Sequence, residues 1–241
     1  MMHGRLYLVP NLLGVVAPDA VLPARTIAVA RRLAYYVVEN AKPARAFLKS
    51  LVPDLPLREI QIVELDESPT DSRCAELLAP ARSGFDMGLL SDAGCPGVAD
   101  PGASLVAEAH RESIAVAPLV GPSAVLLALM ASGMNGQAFT FHGYLPVAAE
   151  ERAQAIHRIE ADSQRSGYAQ IFIETPYRNV TLLQALVATC KPATRLCVAA
   201  DLTTESESIA TRPVREWRGT DFAGYSKRPA IFVVQAGARV A

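Results

Sequence analysis

Short apolar runs, several of them without charged residues, alternate along this chain with stretches of helical periodicity, and this alternation restricts the fold more than any other feature. Several runs are continuous and rich in β-branched residues, which is typical of strands that helices cover on both faces. Prolines stand at or just before the start of two helical stretches, where the N–H that proline lacks would have no partner within the helix. The pattern predicts α/β layers with largely parallel strands.

The predicted elements follow directly from these runs. We expect strands at Arg5–Val9, Tyr35–Val38, Ile60–Leu65, Met87–Leu90, Ile114–Leu119, Phe139–His142, Gln170–Ile173, Leu196–Ala200 and Ile231–Gln235. We expect helices at Ala24–Ala34, Pro43–Leu51, Asp71–Arg82, Ser104–Glu112, Ser123–Ala131, Glu150–Ser166 and Tyr177–Cys190.

The chain length of 241 residues suits one large α/β domain or two small ones. The turn VGPSA at Val120–Ala124 is the best boundary, which predicts domains at 1–122 and 123–241. The net charge is −1 overall, from −3 before Val125 and +2 from Val125 onward. The whole-molecule charge gives no attraction to nucleic acid, and the second half is the better suited to face an anion.

Cysteine usage and hydropathy bear on the compartment. The four cysteines are scattered without a C-x-x-C pair, and neither they nor the histidines have metal-ligand spacing, so we expect no metal site. A tract from Ser113 to Ala149 contains no Asp, Glu, Lys or Arg. Prolines and glycines divide it into pieces too short to cross a bilayer, so we expect it to be buried. These features predict a cytoplasmic protein with no membrane partner.

One loop carries most of the chemical information. The segment Ser91–Gly102, SDAGCPGVADPG, follows a buried strand. Open α/β sheets bind their ligands at the carboxyl ends of the strands, which is where this segment lies. Gly94 and Gly97 allow a ligand to approach main-chain atoms closely. The sequence lacks G-x-x-x-x-G-K-S/T and a G-x-G-x-x-G after its first strand, which removes the main support for NTPase and dinucleotide-binding functions. The loop remains compatible with S-adenosylmethionine, a ligand that main-chain atoms and a carboxylate can hold. The alternative is that the segment is a rigid connection in which the two aspartates act as caps.

Four motifs in a fixed order resemble those of methyltransferases with the tetrapyrrole methylase fold, and in particular the bacterial branch that methylates a cytidine 2′-hydroxyl of small-subunit rRNA. They are LYLVPNLLG at Leu6–Gly14, SDAGCPGVADPG at Ser91–Gly102, VGPSAVLLALMASG at Val120–Gly133 and FTFHGYLP at Phe139–Pro146. The resemblance extends from about Leu6 to Gln235. It implies two α/β domains with parallel or mixed sheets, a homodimer, and S-adenosylmethionine in a cleft between the domains.

The same resemblance implies the site residues. The expected cofactor contacts are Pro10, Asp92, Gly94, Gly97, Val98, Ala99, Ser123, Ala124, Met130, Ala131 and Pro229. The expected catalytic residues, for transfer to an acceptor hydroxyl such as an RNA ribose, are Glu39, Lys42, Glu174 and Arg178, although ordinary ion pairs at helix starts are an equal alternative. The implied partner is rRNA or the small ribosomal subunit.

Departures from the family pattern concentrate on the substrate side. The family's A-R-E-L-T-K becomes Ala199–Thr204, AADLTT, which loses an arginine and a lysine, and its K-G-E becomes Lys227-Arg228-Pro229. Two alternatives therefore stay open: a small-molecule methylase acting on a tetrapyrrole-type ring, and a protein that binds S-adenosylmethionine without turnover.

Overall fold

A computed structural model describes residues 3–66 and 68–237, so the outermost residues of both predicted domains lie outside it. The chain divides into two compact units, Met1–Ser123 and Ala124–Ala241. Each unit contains one five-stranded sheet.

The first unit has a parallel sheet with strand order β3-β2-β4-β1-β5. Its elements are β1 (Arg5–Val9), α1 (Pro18–Val21), α2 (Ala24–Arg32), β2 (Tyr35–Val38), α3 (Ala41–Ser50), β3 (Gln61–Glu64), α4 (Asp71–Leu77), α5 (Ala79–Arg82), β4 (Met87–Leu90), α6 (Ala103–Arg111) and β5 (Ala115–Pro118), with a 3-10 turn at Leu57–Glu59.

Neighbouring residues of these strands face opposite sides of the sheet, and both sides are apolar. Leu6, Val37 and Leu89 belong to one buried cluster, whereas Val9 and Val38 belong to the other. This double coverage explains why the strands read as continuous apolar runs rather than alternating ones.

The second unit has a mixed sheet with strand order β6-β7-β10-β8-β9. Its elements are α7 (Ala124–Ser132), β6 (Phe139–Tyr144), α8 (Ala149–Ser166), β7 (Ala169–Ile173), α9 (Asn179–Thr189), β8 (Arg195–Ala200), β9 (Ser208–Pro213), α10 (Val214–Trp217) and β10 (Ala230–Gln235), with 3-10 turns at Pro176–Arg178 and Ala223–Tyr225. Only β6 and β7 pair in parallel; β10 is antiparallel to β7 and β8, and β8 is antiparallel to β9. The loop from residue 201 to 207 is too short for a crossover helix, so β8 and β9 form a hairpin.

The expected α/β fold with parallel or mixed sheets is confirmed. The helix expected at Asp71–Arg82 is wrong in detail, because it breaks at Leu78 into α4 and α5. Pro80 lies in the first turn of α5, and since proline has no N–H it cannot continue the α4 hydrogen-bond ladder. The sequence analysis also missed β9, α1 and α10.

The charge-free tract departs from its expected burial. Val120, Met130 and Val147 are 72%, 78% and 69% exposed in the single chain. None of the described helices is both long and apolar enough to span a membrane.

Candidate functional site

The loop after β4 has an unusual backbone. Gly94 and Gly97 have φ of 69° and 77°, and Ala99, which has a side chain, also lies in the left-handed region at 65°. A Cβ on Gly97 would meet no atom within 4 Å, so the main-chain conformation, rather than space, requires glycine there. The loop therefore presents main-chain atoms at the carboxyl edge of the first sheet. Val98 is 48% exposed in this loop.

Asn11 fixes this loop to the end of β1, and the sequence analysis missed it. Its buried side chain donates hydrogen bonds to the carbonyls of Ser91 (3.0 Å) and Asp92 (2.9 Å). Its backbone N–H donates to Gly94 O at 2.8 Å. An amide side chain two residues after a largely apolar strand was the available signal, because a buried amide must find partners.

The predicted contact Pro10 is buried beside this clamp. A Cβ on Gly121 would lie 2.3 Å from Pro10 Cγ, so the ring packs directly on the VGP turn. The Cys95 thiol lies 3.4 Å from Pro122 O in the same turn. The β1 loop, the β4 loop and the VGP turn are thus in contact within the first unit.

Three carboxylates lie at this edge of the sheet. Glu39, at the end of β2, accepts a hydrogen bond from the Asp92 N–H (3.0 Å), and Asn40 donates to the Asp92 carboxylate (2.7 Å). Burial, followed by the nearby charge of Glu39, raises the pKa of Asp100 to about 6. The arrangement disfavours a phosphate and favours hydroxyl groups or a cationic amine as ligands.

The structure brings Glu39 and Asp92 together, but it does not pair Glu39 with Lys42. Lys42 is exposed on the first turn of α3, and within residues 3–66 and 68–237 it forms no ion pair. The described residues also contain no group of three or more His, Cys, Asp or Glu that could hold a metal ion.

In the second unit, Glu174 and Arg178 form an ion pair in which the carboxylate is buried and the guanidinium is partly exposed. The Glu174 side chain is 1% exposed, and Arg178 Nη2 lies 2.6 Å from its Oε2. The other carboxylate oxygen accepts the N–H of Thr175 at 2.7 Å. The Glu174 carboxylate is thus held from both sides, whereas the Arg178 side chain remains 30% exposed.

A second charged pair lies at the same edge of this sheet and was missed by the sequence analysis. Arg228 Nε donates to Asp201 Oδ2 at 2.6 Å, and Arg228 Nη2 donates to Ser208 Oγ at 3.0 Å. Asp201 has φ of 51° and donates its N–H to the carbonyl of Pro229. Arg228 thereby fixes the loop after β8, in which this chain lacks the arginine and the lysine of the A-R-E-L-T-K motif.

The remaining predicted cofactor contacts lie outside the loop after β4. Ser123 ends the first unit and Ala124 begins α7, where Met130 and Ala131 are exposed in the last two turns. Pro229 is exposed directly before β10. The structure therefore gathers Glu39 and six predicted contacts in the first unit: Pro10, Asp92, Gly94, Gly97, Val98 and Ala99.

Comparison with known proteins gives relatives in sequence and in structure. No model of a protein family matches the chain. It is 35% identical over 209 residues to the ribosomal RNA small subunit methyltransferase I of Micromonospora olivasterospora, covering 86% of this chain and 62% of that protein. The protein of the same name from Escherichia coli O157:H7 is 29% identical over 214 residues, which are 89% of this chain and 71% of that one.

Solved structures with the same fold are more distant in sequence. The methyltransferase CobJ superposes with a TM-score of 0.64 at 18% identity, over 99% of this chain and 97% of that one. The uroporphyrin-III-C-methyltransferase of Thermus thermophilus gives a TM-score of 0.56 at 20% identity, over 96% and 92%. These likenesses establish the fold, and the resemblance that the four motifs indicated is confirmed.

Proposed function

Since this chain is related in sequence to ribosomal RNA small subunit methyltransferases and has the fold of tetrapyrrole methylases, we propose that it is an S-adenosylmethionine-dependent methyltransferase. The observation that carries the proposal is the loop after β4, with its left-handed glycines and its clamped Asp92. Main-chain atoms are exposed there beside carboxylates, which suits a ligand that offers hydroxyl groups and an amine.

The residues present fit this cofactor. Asp92 would accept hydrogen bonds, and Gly94, Gly97, Val98 and Ala99 would offer main-chain atoms. Pro10 would pack on the neighbouring VGP turn. Ser123, Ala124, Met130, Ala131 and Pro229 complete the proposed set. When bound, the cofactor supplies a methyl group on a sulfonium centre, and positioning of the acceptor can provide much of the acceleration.

On the acceptor side we assign different roles to the charged residues. Both oxygens of Glu174 already accept hydrogen bonds, so it acts as the group that positions Arg178. The partly exposed Arg178 then binds or polarises the acceptor. Glu39 has one oxygen on the Asp92 N–H and can accept a proton or a hydroxyl hydrogen bond with the other, while Lys42 supplies a cation nearby in sequence.

The proposed acceptor is a ribose hydroxyl of small-subunit rRNA, in a cytoplasmic homodimer. The names of the sequence relatives support the substrate. The resemblance in the four motifs supports the dimer, and Met130 and Val147 of the second unit, which are exposed in the single chain, are candidate interface residues. Multi-angle light scattering of the 241-residue chain tests it: a mass of one chain at micromolar concentration contradicts the dimer.

Isothermal titration calorimetry with S-adenosylmethionine and S-adenosylhomocysteine tests the cofactor. Asp92→Asn should weaken binding about 10-fold or more, because a hydrogen bond to a charged group is worth about 1.5–3 kcal/mol. Asp19→Asn, which removes an exposed carboxylate in α1, is the matched control and should bind normally. No binding heat with the native chain contradicts the proposal.

Transfer of a labelled methyl group tests the acceptor. We expect label in the rRNA of small ribosomal subunits isolated from cells that lack this activity. Label only in a tetrapyrrole fraction supports the small-molecule alternative, and cofactor binding with no label in any fraction supports a binding protein without turnover.

A further inference from the structure

A cavity of about 480 Å³ lies in the second unit, at one end of β8 and β9. Its charged lining consists of Arg195, Arg212 and Arg215, accompanied by Ser132, Gly133 and Thr211. Among the described residues that line it there is no Asp or Glu. The cavity is therefore a concentration of positive charge in a molecule whose overall net charge is −1.

The cavity is distinct from the charged pairs at the other edge of the sheet. Arg195 pairs with Pro213 and Gln235 in the strand register, whereas Ala200, beside Asp201, pairs with Ser208 and Ala230. Five residues of strand separate these two ends, which corresponds to roughly 17 Å. None of the predicted cofactor or catalytic residues lines the cavity.

Surrounding groups hold two of the arginines in place. Arg195 donates to Gly133 O at 2.9 Å and to the side chain of the buried Gln235. The Arg212 guanidinium lies 5.2 Å from the ring centroid of Trp217, a buried side chain whose own N–H donates to Leu196 O. Stacking on an aromatic face orients a guanidinium and leaves its N–H groups available at the edge.

The positive charges of Arg212 and Arg215 are not neutralised by a strong ion pair among the described residues. Arg215 lies 3.8 Å from Glu216, with both side chains more than half exposed, and such a pair is worth little. Within the described part of the chain, Arg212 forms no ion pair. Planar guanidinium forks on rigid supports match the oxygens of a phosphate group.

We propose that this cavity binds a phosphodiester of the RNA substrate, as a docking site away from the point of methyl transfer. The inference rests on the proposed function, since it assumes an RNA acceptor. The cavity lies about 17 Å along β8 from the end of the sheet that holds Asp201 and the Glu174–Arg178 pair. The site would therefore contact RNA that flanks the methylated nucleotide and would add affinity without contributing to the chemical step.

Binding of the full chain to a small-subunit rRNA transcript, measured by fluorescence anisotropy from 50 to 300 mM KCl, tests the proposal. Arg212→Gln/Arg215→Gln should weaken binding about 10-fold and reduce the slope of log K against log salt by ~1.4, for two contacts to a single strand. Arg215→Gln alone removes an exposed side chain, so it should fold normally and show about half of the slope change.

The matched control removes two charges elsewhere in the same unit. Arg158→Gln/Arg165→Gln alters exposed residues of α8 and should leave the slope within about 0.5 of the native value. Equal slopes for the cavity variant and native protein, with native RNA binding intact, overturn the docking site alone. A native chain that binds S-adenosylmethionine but no RNA overturns both the docking site and the RNA acceptor, while the methyltransferase proposal stands.

Discussion

The Glu174–Arg178 pair allows a quantitative test, because one partner is buried and the other is partly exposed. Replacing Arg178 with Ala leaves the Glu174 carboxylate with the Thr175 N–H as its hydrogen-bond donor, in a side chain that is 1% exposed. Glu174→Gln keeps the shape and the Thr175 acceptor but removes the charge. The two changes together separate the cost of an unpaired buried charge from the cost of lost contacts.

The size of the effect follows from the burial. Removing one partner of a fully buried pair costs about 3–5 kcal/mol of the free energy of unfolding. Because Arg178 is 30% exposed, water can replace part of what it provides, and we expect about 2–3 kcal/mol for Arg178→Ala. Glu174→Gln should cost about 1–2 kcal/mol. The double variant should cost less than the sum by about 1.5 kcal/mol.

Trp217 provides the assay. It is the only tryptophan of the chain, and at 1% exposure it lies in the core of the second unit. Urea titration followed by its emission therefore reports unfolding of the unit that contains the pair. Arg165→Ala, which breaks an exposed pair with Asp162 at 2.6 Å, is the matched control and should change stability by less than about 0.5 kcal/mol.

Two results would refute the reasoning. If Arg178→Ala costs no more than Arg165→Ala, the buried charge is not held by its arginine. If the double variant costs the full sum of the single ones, the two side chains do not interact energetically, and Glu174 cannot be the group that positions Arg178.

Three further predictions concern the first unit. Asp100 has a folded-state pKa of about 6, above its ordinary value of 3.8. Its contribution to stability therefore falls as the pH rises between about 4 and 6. Asp100→Asn should raise the melting temperature measured by calorimetry at about pH 7.5 and change it little at about pH 4. Gly94→Ala places a side chain at φ 69° and should lower the free energy of unfolding by about 1–2 kcal/mol, as measured by urea titration with circular dichroism. The same change should weaken cofactor binding in calorimetry. Gly136→Ala, where a side chain would meet open space, should change neither quantity. Gly121→Ala puts a Cβ 2.3 Å from the Pro10 ring and should cost about 1–3 kcal/mol by thermal melting, and an unchanged melting temperature would show that the turn moves freely.

Local signals in the sequence were sufficient for most of the elements. The strands at Arg5–Val9, Tyr35–Val38 and Met87–Leu90 have the predicted bounds, because burial on both faces requires uninterrupted apolar residues. β9 was missed because Ser208–Pro213, SIATRP, is an edge strand whose residues are largely half-buried and have no apolar periodicity. The four-residue helices α1 and α10 are too short to show any period.

The sequence by itself determined the α/β class, the order of the motifs and the glycine loop with Asp92, since these depend on residue type and near neighbours. The tertiary structure alone decided which side chains meet: Asn11 with Asp92 across 81 residues, Glu39 with Asp92 across 53, and Arg228 with Asp201 across 27. The arginine-lined cavity has the same origin, because strand pairing brings Arg195 beside Pro213. Partners so far apart in the chain are selected by sheet order and strand register, and no local preference of the backbone encodes either.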